Sequence, residues 1–224
     1  MESTRLLIHE IYPAISGESR FRGWPCVLVR LTGCHLRCTW CDSAHAFAGG
    51  ESLTVSAVMA RIAEHGHRTV LVTGGEPLLQ KGVVELMKAL LASGKRVLLE
   101  TSGTLMNGNA VALAEVPAGV HRIVDIKPPA SGIAESAMDW EGIQVLGPDD
   151  ELKIVCADQN DYAWARALVQ EGSRLPAGVP VTLSPVQNGL EPRDLAEWIL
   201  ADRLDVCFQI QLHKVVWPDA QGGV

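Results

Sequence analysis

The stretch Cys34-His35-Leu36-Arg37-Cys38-Thr39-Trp40-Cys41 places three cysteines within eight residues, directly after the apolar run of residues 27–31. A disulfide would use only two of these thiols, and so short a loop gives poor bridge geometry. A structural zinc site would need a fourth soft ligand at a matching spacing, and neither a second CxxC nor a His pair follows. The pattern therefore favours a 4Fe–4S cluster held by three thiolates, with one iron left open for an outside ligand.

Length and composition favour one cytoplasmic domain. The 224 residues can enclose one substantial core, and we expect a single domain over residues 1–224. With 26 acidic and 19 basic residues, the net charge of −7 argues against a nucleic-acid partner, which needs clustered Lys and Arg. No apolar run resembles a signal peptide or a membrane span, so we expect a cytoplasmic protein without membrane contact. In that reducing compartment Cys26, Cys156 and Cys207 are expected to be core residues rather than disulfide partners.

Apolar runs alternate with helical patterns along the chain. Unbroken apolar runs are typical of strands covered on both faces, and the intervening helices indicate βα units with a parallel sheet. We therefore predict an α/β fold, a compact partial (β/α) barrel with parallel strands and about six or seven units, since the chain is short for eight. Strands are predicted at residues 6–12, 25–31, 69–73, 96–99, 122–126, 151–156, 180–183 and 206–212.

Polar and glycine-rich motifs follow most of the predicted strands. In a parallel βα barrel the loops after the strands open at one end, where active sites lie. Gly74-Gly75-Glu76-Pro77 is the clearest of these motifs after the cysteine loop. Its glycines let the backbone approach a ligand closely, and the carboxylate of Glu76 can accept hydrogen bonds from an ammonium group.

Together with the cysteine loop, these motifs resemble the radical S-adenosylmethionine (SAM) enzymes, and their order resembles the 7-carboxy-7-deazaguanine synthase family. The resemblance runs from Glu10 to the C-terminal tail. It implies a compact partial barrel that is often a homodimer. It also implies conversion of 6-carboxy-5,6,7,8-tetrahydropterin into 7-carboxy-7-deazaguanine with release of ammonia. The motifs include TGGEPLLQ at 73–80, ETSGT at 100–104, DIKPP at 125–129, DELK at 150–153, SPV at 184–186 and QLHK at 211–214.

The resemblance further implies a set of functional residues and cofactors. Cys34, Cys38 and Cys41 would hold the 4Fe–4S cluster, and Ser43 would bind Mg²⁺. The positions that match SAM contacts are Trp40, Asp42, Gly75, Glu76, Asp125, Ile126, Lys127, Ser184, Pro185, Val186 and Gln187. The positions that match substrate contacts are Ile15, Ser16, Gly17, Glu18, Arg30, Thr73 and His213.

The chemistry of two substrate positions fits a pterin. Its guanidine-like edge can be bound at two points by the carboxylate of Glu18, and its own carboxylate suits Arg30. Arg30 could instead be an ion-paired core residue, and Lys153 and Glu100 are equally compatible with structural ion pairs. Two positions depart from the family: Ser16 replaces its usual Gln, and Ser43 replaces its usual Thr. A serine hydroxyl can still offer Mg²⁺ an oxygen ligand.

Two alternatives stay open. A glycyl-radical-enzyme activase shares the three-cysteine loop and the small size, but it would act on a protein and consume SAM. A non-catalytic metal-binding module is the other, although motifs collected at one end of a barrel argue against it. The synthase interpretation implies a small pterin substrate and a flavodoxin- or ferredoxin-like electron donor. Whether residues 217–224 close over the substrate is open.

Overall fold

A mixed sheet of nine strands organises the computed structural model, which describes residues 4–106 and 110–218. The strands are β1 (Arg5–Ile15), β2 (Pro25–Leu31), β3 (Glu51–Thr54), β4 (Thr69–Gly74), β5 (Arg96–Thr101), β6 (Val120–Ile126), β7 (Glu151–Cys156), β8 (Val181–Pro185) and β9 (Cys207–Phe208). The helices are α1 (Val55–Glu64), α2 (Gly82–Ala92), α3 (Gln159–Glu171), α4 (Pro192–Asp202) and α5 (Leu212–Val216). None of the helices in these ranges is long and apolar enough to cross a membrane.

The strands follow the order β3-β1-β2-β4-β5-β6-β7-β8-β9. From β2 onward, with β3 set aside, every neighbouring pair is parallel. The sheet has β3 and β9 at its two edges, so it does not close on itself within the described ranges. The predicted partial (β/α) barrel is confirmed.

The first part of the sheet differs from the all-parallel prediction. β1 pairs antiparallel with β2, and β3 pairs antiparallel with β1. Residues 16–24 between β1 and β2 are too few for the crossover of about a dozen residues that parallel pairing needs, so the two strands form a hairpin. The sequence pattern does not predict β3, because its four residues lie between Gly49-Gly50 and the start of a helix.

The last strand is much shorter than predicted. Only Cys207–Phe208 pairs with β8, and Leu212–Val216 is helical. The side chain of Gln209 bonds to the backbone of Ser19 on the loop of residues 16–24, which takes the chain away from the edge of the sheet. Of the C-terminal tail, Trp217 and Pro218 are described and line the cavity at the carboxyl ends of the strands, while residues 219–224 lie outside the described residues.

The three cysteines expected in the core have different environments. Cys26 and Cys156 are buried, as predicted. Cys207 is exposed, and the prediction for it is wrong. It lies on β9, which pairs on one side only, and an edge strand is covered less completely than a central one.

Capping residues determine where α1 and α3 begin. Thr54 precedes α1, and its hydroxyl accepts a hydrogen bond of 3.2 Å from the backbone N–H of Ala57. Asp158 caps α3 in the same way by accepting from Asn160 and Asp161. α3 therefore begins at Gln159.

Side chains that face the interior of the barrel change from apolar to polar along the strands. Cys26 and Leu28 of β2 belong to a small apolar cluster inside the barrel, whereas Arg30 on the same face lines a cavity. In β4, Leu71 belongs to the cluster and Thr73 lines the cavity. The alternate residues of these strands pack in the main core under the helices. Because the strands are parallel, the polar positions meet at their carboxyl ends.

Residues 16–24 lie against the beginnings of the strands. Phe21 packs on the interior apolar cluster, and the guanidinium of Arg96, at the start of β5, lies 4.9 Å from its ring centroid. The backbone N–H of Arg20 donates to both carboxylate oxygens of Glu151, at the start of β7, at 2.9 and 3.1 Å. These contacts fix the loop and bring Glu18 to the cavity.

Asp150 fixes the chain just before β7. Its carboxylate accepts hydrogen bonds from the guanidinium of Arg122 at 2.9 and 2.6 Å and from the backbone of Gly147 at 2.9 Å. Burial opposes ionisation, but these bonds outweigh it and lower the pKa of Asp150. The carboxylate therefore stabilises the fold above its unfolded pKa of about 3.9, and this contribution is lost as the pH falls through the lower folded pKa.

Asp150→Asn is expected to reduce the free energy of unfolding by about 2 kcal/mol at pH 7, because it removes charge-assisted bonds to a buried group. The difference from wild type should shrink below about pH 4, where the carboxylate of the unfolded wild-type chain begins to be protonated while that of the folded chain is still ionised. Urea unfolding at several pH values measures both effects. A difference that persists unchanged well below pH 4 would contradict the assignment.

Candidate active site

A cavity of about 450 Å³ opens at the carboxyl ends of the parallel strands. It brings together residues from the cysteine loop, the strand ends, the loop of residues 16–24 and α5. The predicted site residues on its wall are Ile15, Gly17, Glu18, Arg30, Cys34, Cys38, Trp40, Cys41, Asp42, Ser43, Thr73, Gly75, Asp125, Lys127, Val186, Gln187 and His213.

Five predicted site residues are not on the wall of this cavity. Ser16 is buried and its hydroxyl donates to the backbone oxygen of Glu18 at 3.2 Å, so it supports a wall residue. Ile126 and Ser184 are fully buried at the ends of β6 and β8. Glu76 and Pro185 are the other two, and for all five the ligand contacts stay predictions.

The cysteine loop is held at several points by backbone hydrogen bonds. Gly33 has a φ of 99°, which favours glycine, and its N–H donates to Ala46 at 2.9 Å. The N–H of Thr39 donates at 3.0 Å to Ser131, in the loop after β6. The loop thus has a defined path that does not depend on the thiols.

The three cysteines of the loop face one space. Cys34, Cys38 and Cys41 all line the cavity. Cysteine thiolates are the ligands that hold 4Fe–4S clusters in proteins, so this set of donors fits such a group. Burial raises the pKa of the Cys34 and Cys38 thiols, so binding iron has to displace their protons.

Two buried polar atoms at the strand ends fit a bound ligand. Asp125 Oδ1 at the end of β6 and Ser184 Oγ at the end of β8 have no hydrogen-bond partner among the described residues. Native proteins rarely leave such atoms unpaired, and a bound ligand is one way to satisfy them. The family resemblance predicts a SAM contact at both positions. Asp125 lines the cavity, so its unpaired atom supports that prediction, whereas Ser184 is not on the cavity wall and its contact stays a prediction.

Gly74 and Gly75 allow the loop after β4 to lie directly against the cysteine loop. A Cβ atom at Gly75 would come within 2.3 Å of the backbone oxygen of Gly33 and 2.7 Å of the Cβ of Cys34. The N–H of Gly75 also donates to Leu31 at 3.2 Å. The glycine is therefore required by a close backbone approach.

Gly75→Ala is expected to displace the segment that carries Cys34, because the backbone atoms of that segment cannot move aside independently. We expect SAM affinity to fall at least about tenfold, the change produced by 1.4 kcal/mol, and the reconstituted cluster to contain less iron. Equilibrium binding of SAM and iron analysis measure the two effects. Gly147→Ala is the matched control, because a Cβ there meets no atom within 4 Å and Gly147, like Gly75, does not have a left-handed φ. Equal SAM affinity in Gly75→Ala and wild type would contradict the prediction.

Glu76 connects two of the loops at the carboxyl ends of the strands. The residue is fully buried, and its carboxylate accepts hydrogen bonds from the hydroxyl of Thr101 (2.7 Å) and from the backbone N–H (2.8 Å) and hydroxyl (2.7 Å) of Ser102. A fourth bond comes from the backbone of Leu78 at 3.0 Å. These four bonds are the partners that the carboxylate has in this structure, and the ammonium contact expected of it stays a prediction. It joins the loops after β4 and β5.

A group of charged side chains fills the interior end of the cavity. Lys153, in the middle of β7, forms an ion pair with Glu18 and lies 3.7 Å from Asp125. Asp125 also pairs with Lys127 at 2.9 Å. Burial lowers the pKa of a lysine, but these carboxylates outweigh it and raise the pKa of Lys153 well above its ordinary value. Burial raises the pKa of Glu100, on the same wall, to about 7.

Lys153, Glu100 and Gln211 line the cavity but are absent from the predicted site. Gln211 donates to the second carboxylate oxygen of Glu18, so both oxygens have partners. The signal that could have revealed Lys153 is the alternation along β7. Lys153 and Val155 are two residues apart, so both side chains point to the interior face of β7 and both line the cavity. A charged lysine on that face needs polar partners, and the polar side chains at the ends of the neighbouring strands are within its reach.

Arg30 is both ion-paired and on the cavity wall. Its Nε atom lies 2.5 Å from Glu10 Oε1, and His45 Nε2 lies 3.3 Å from the same oxygen. Glu10 and Arg30 lie on the neighbouring strands β1 and β2, and the ion pair between them leaves Arg30 facing the cavity. The two interpretations of this residue from the sequence are thus compatible.

The short helix α5 covers one side of the cavity. Lys214 pairs with Asp42 of the cysteine loop at 3.0 Å. A Cβ at Gly17 would lie 1.9 Å from Nδ1 of His213, so the histidine ring packs directly on that glycine. Burial lowers the pKa of His213, which favours the neutral imidazole at pH 7.

Comparison with known families agrees with this geometry. The model of the radical SAM superfamily matches residues 28–170, which span β2 to α3. The "7-carboxy-7-deazaguanine synthase" of Chlorobaculum tepidum is 43% identical over 220 residues, covering 97% of each chain. The protein of the same name from Koribacter versatilis is 40% identical and covers 96% of this chain and 99% of its own.

The chain therefore belongs to the radical SAM superfamily and, within it, to the family of 7-carboxy-7-deazaguanine synthases. Membership of this superfamily means that it uses a 4Fe–4S cluster and SAM. The crystal structure of QueE from Escherichia coli has a TM-score of 0.71 at 21% identity, covering 93% of this chain and 95% of that one. SuiB of Streptococcus suis, bound to S-adenosylmethionine, has a TM-score of 0.54 over 84% of this chain and 48% of its own. These two likenesses concern the fold alone.

Proposed function

We propose that the chain converts 6-carboxy-5,6,7,8-tetrahydropterin into 7-carboxy-7-deazaguanine and ammonia, a step of 7-deazapurine biosynthesis. The observation that carries the proposal is the cavity, in which three cysteines face the same space as Glu18 and Arg30. The names of the full-length relatives support the choice of reaction.

In this proposal Cys34, Cys38 and Cys41 hold the cluster, and the backbone of Gly75 with Asp125 and its neighbours binds SAM. When bound, the cluster and SAM would supply the radical chemistry that abstraction of a hydrogen atom from the substrate requires. The residues of this chain bind and orient the two ligands and keep other hydrogen donors away from them. The apolar cluster beneath the cavity, which includes Leu28 and Leu71, supports that exclusion.

Glu18 binds the guanidine-like edge of the pterin, which presents two N–H donors to a carboxylate. Its present partners, Lys153 and Gln211, must give way to that edge. Asp125 and Glu100 lie beside Lys153 and offer its ammonium group other partners. Arg30 and the neutral ring of His213 lie on the same wall and suit the carboxylate and the polar ring atoms of the substrate.

Four further assignments belong to the same proposal. Ser43 binds Mg²⁺; its hydroxyl faces the cavity and lies 3.3 Å from Asp42 Oδ1. The chain acts as a homodimer, receives electrons from a flavodoxin- or ferredoxin-like protein, and works in the cytoplasm. The family resemblance supports the dimer, and a low-potential cluster supports the choice of donor and of a reducing compartment.

An anaerobic turnover assay tests the proposed reaction. Reconstituted protein is mixed with SAM, Mg²⁺, a reductant and 6-carboxytetrahydropterin, and the product is followed by absorbance and mass. We expect 7-carboxy-7-deazaguanine and ammonia in equal amounts, with a lower rate when Mg²⁺ is omitted. SAM cleavage without any deazapurine would leave the cluster chemistry intact and refute the substrate.

A further inference from the structure

Hydrogen bonds continue from Glu76 to the cysteine loop. Ser102 Oγ lies 2.7 Å from Glu76 Oε2 and 2.7 Å from Thr104 Oγ1. Thr104 Oγ1 lies 2.8 Å from Nε2 of His35. His35 directly follows Cys34 in the sequence, so an unbroken series of bonds joins the loops after β2, β4 and β5.

The donors and acceptors give this series one direction. The single hydroxyl hydrogen of Ser102 goes to Glu76, so Ser102 can only accept from Thr104. The hydroxyl hydrogen of Thr104 is then used as well, and His35 Nε2 must donate to it. All three hydrogens point toward the buried carboxylate, and bonds aligned in this way polarise and strengthen one another.

The middle of the series is rigid. Ser102 and Thr104 are buried, with exposed fractions of 8% and 3%. Thr104 also forms a β-bridge with Met138, and the next residue, Leu105, donates to Ala137 at 2.7 Å. His35, at the other end of the series, is exposed, so the position of its ring depends on its hydrogen-bond partner.

We propose that Ser102 and Thr104 form a relay through which the buried carboxylate of Glu76 holds His35, and with it the Cys34 side of the cysteine loop. His35 is thus a positioning residue for the cluster. The inference rests on the proposed role of Cys34 as a cluster ligand. The bonds that Gly33 and Thr39 donate to the rest of the protein use backbone atoms, so the relay can be removed without removing them.

The rate at which a chelator removes iron from the reconstituted cluster tests the relay without turnover. Thr104→Val keeps the shape of the side chain and removes the hydroxyl, so iron loss should be about fivefold faster, the effect of one hydrogen bond. Thr104→Ser keeps the hydroxyl and should restore the wild-type rate. Thr32→Val is the matched control, since this buried threonine lies near the loop and its hydroxyl has no partner among the described residues.

A double-mutant cycle distinguishes loss of the relay from a general loss of packing around the cysteine loop. His35→Leu changes an exposed side chain, so it tests the relay even where Thr104→Val does not fold. The relay predicts that His35→Leu and the double variant lose iron as fast as Thr104→Val, because all three break the same series. Independent effects that multiply in the double variant would overturn the proposal, as would a wild-type rate in Thr104→Val.

One further variant distinguishes failure of the relay from failure of its premise. Cys34→Ala is expected to bind little iron. If it binds as much iron as wild type, the ligand assignment fails and the relay fails with it. If it loses iron while Thr104→Val and His35→Leu behave as wild type, the cluster assignment stands and only the relay is refuted.

Discussion

Cys38→Ala is expected to give a folded protein that makes no detectable product. Cys38 lines the cavity and is not part of the hydrophobic core, and the loop around it is held by the backbone bonds of Gly33 and Thr39. Two remaining thiolates cannot hold the cubane in the way that three can. Iron should fall from about four per chain to well below that number, while thermal unfolding of the iron-free protein stays unchanged.

Cys207→Ala is the matched control for this variant. Cys207 is exposed and lies on the edge strand β9, so its loss should change neither iron content nor turnover. Iron and sulfide analysis, visible absorption and the turnover assay measure the comparison. A Cys38→Ala protein with the iron and activity of wild type would show that this thiol is not a ligand.

Glu18→Gln is expected to lower kcat/KM for the pterin by about 10²- to 10³-fold, from two charge-assisted hydrogen bonds of about 1.5–2 kcal/mol each. The amide replaces one acceptor oxygen with a donor, which then faces the donor edge of the substrate. It also removes the charge that Lys153 neutralises. Iron content should stay at the wild-type level, because Glu18 reaches the cavity from residues 16–24 and not from the cysteine loop.

Glu197→Gln provides the control for a loss of one negative charge. Glu197 is exposed on α4, and its nearest cation, Arg193, is exposed too, so the change should leave kcat/KM as it is. Steady-state kinetics at saturating SAM measure both variants. A Glu18→Gln enzyme with wild-type kcat/KM would contradict the role proposed for this carboxylate.

The residues predicted at the rim of the site come together because the sequence signals there are local. Cys34, Cys38 and Cys41 share one short loop, and Gly75 directly follows a strand. The parallel direction of β2 and β4 then brings these segments to one end of the sheet. Gly75 and the three cysteines line the cavity for that reason.

The interior of the site is harder to predict because its pairs are distant in sequence. Glu18 and Lys153 are 135 residues apart, and no spacing rule connects them. Only the register of the sheet places Lys153 beside Asp125. The role of Glu76 is similar: its motif predicts a ligand contact, but the partners on the neighbouring strand end, Thr101 and Ser102, use the carboxylate.

Apolar strand patterns do not predict the direction or the full extent of a strand. The hairpin at the start of the chain and the short last strand are the two examples. An apolar run predicts that β1 exists, but its direction depends on the length of the following connection. The extent of β9 depends on the one neighbour available at the edge of the sheet. Loop length could have corrected the first prediction, whereas the second needs the assembled sheet.

The amount of 7-carboxy-7-deazaguanine formed per SAM consumed, in the anaerobic reaction, tests the central claim most directly. A synthase that returns the hydrogen atom regenerates SAM, so we predict many product molecules for each SAM lost. An enzyme that activates another protein would consume one SAM per event and release methionine in proportion. Stoichiometric loss of SAM with no deazapurine formed would contradict the proposed synthase reaction.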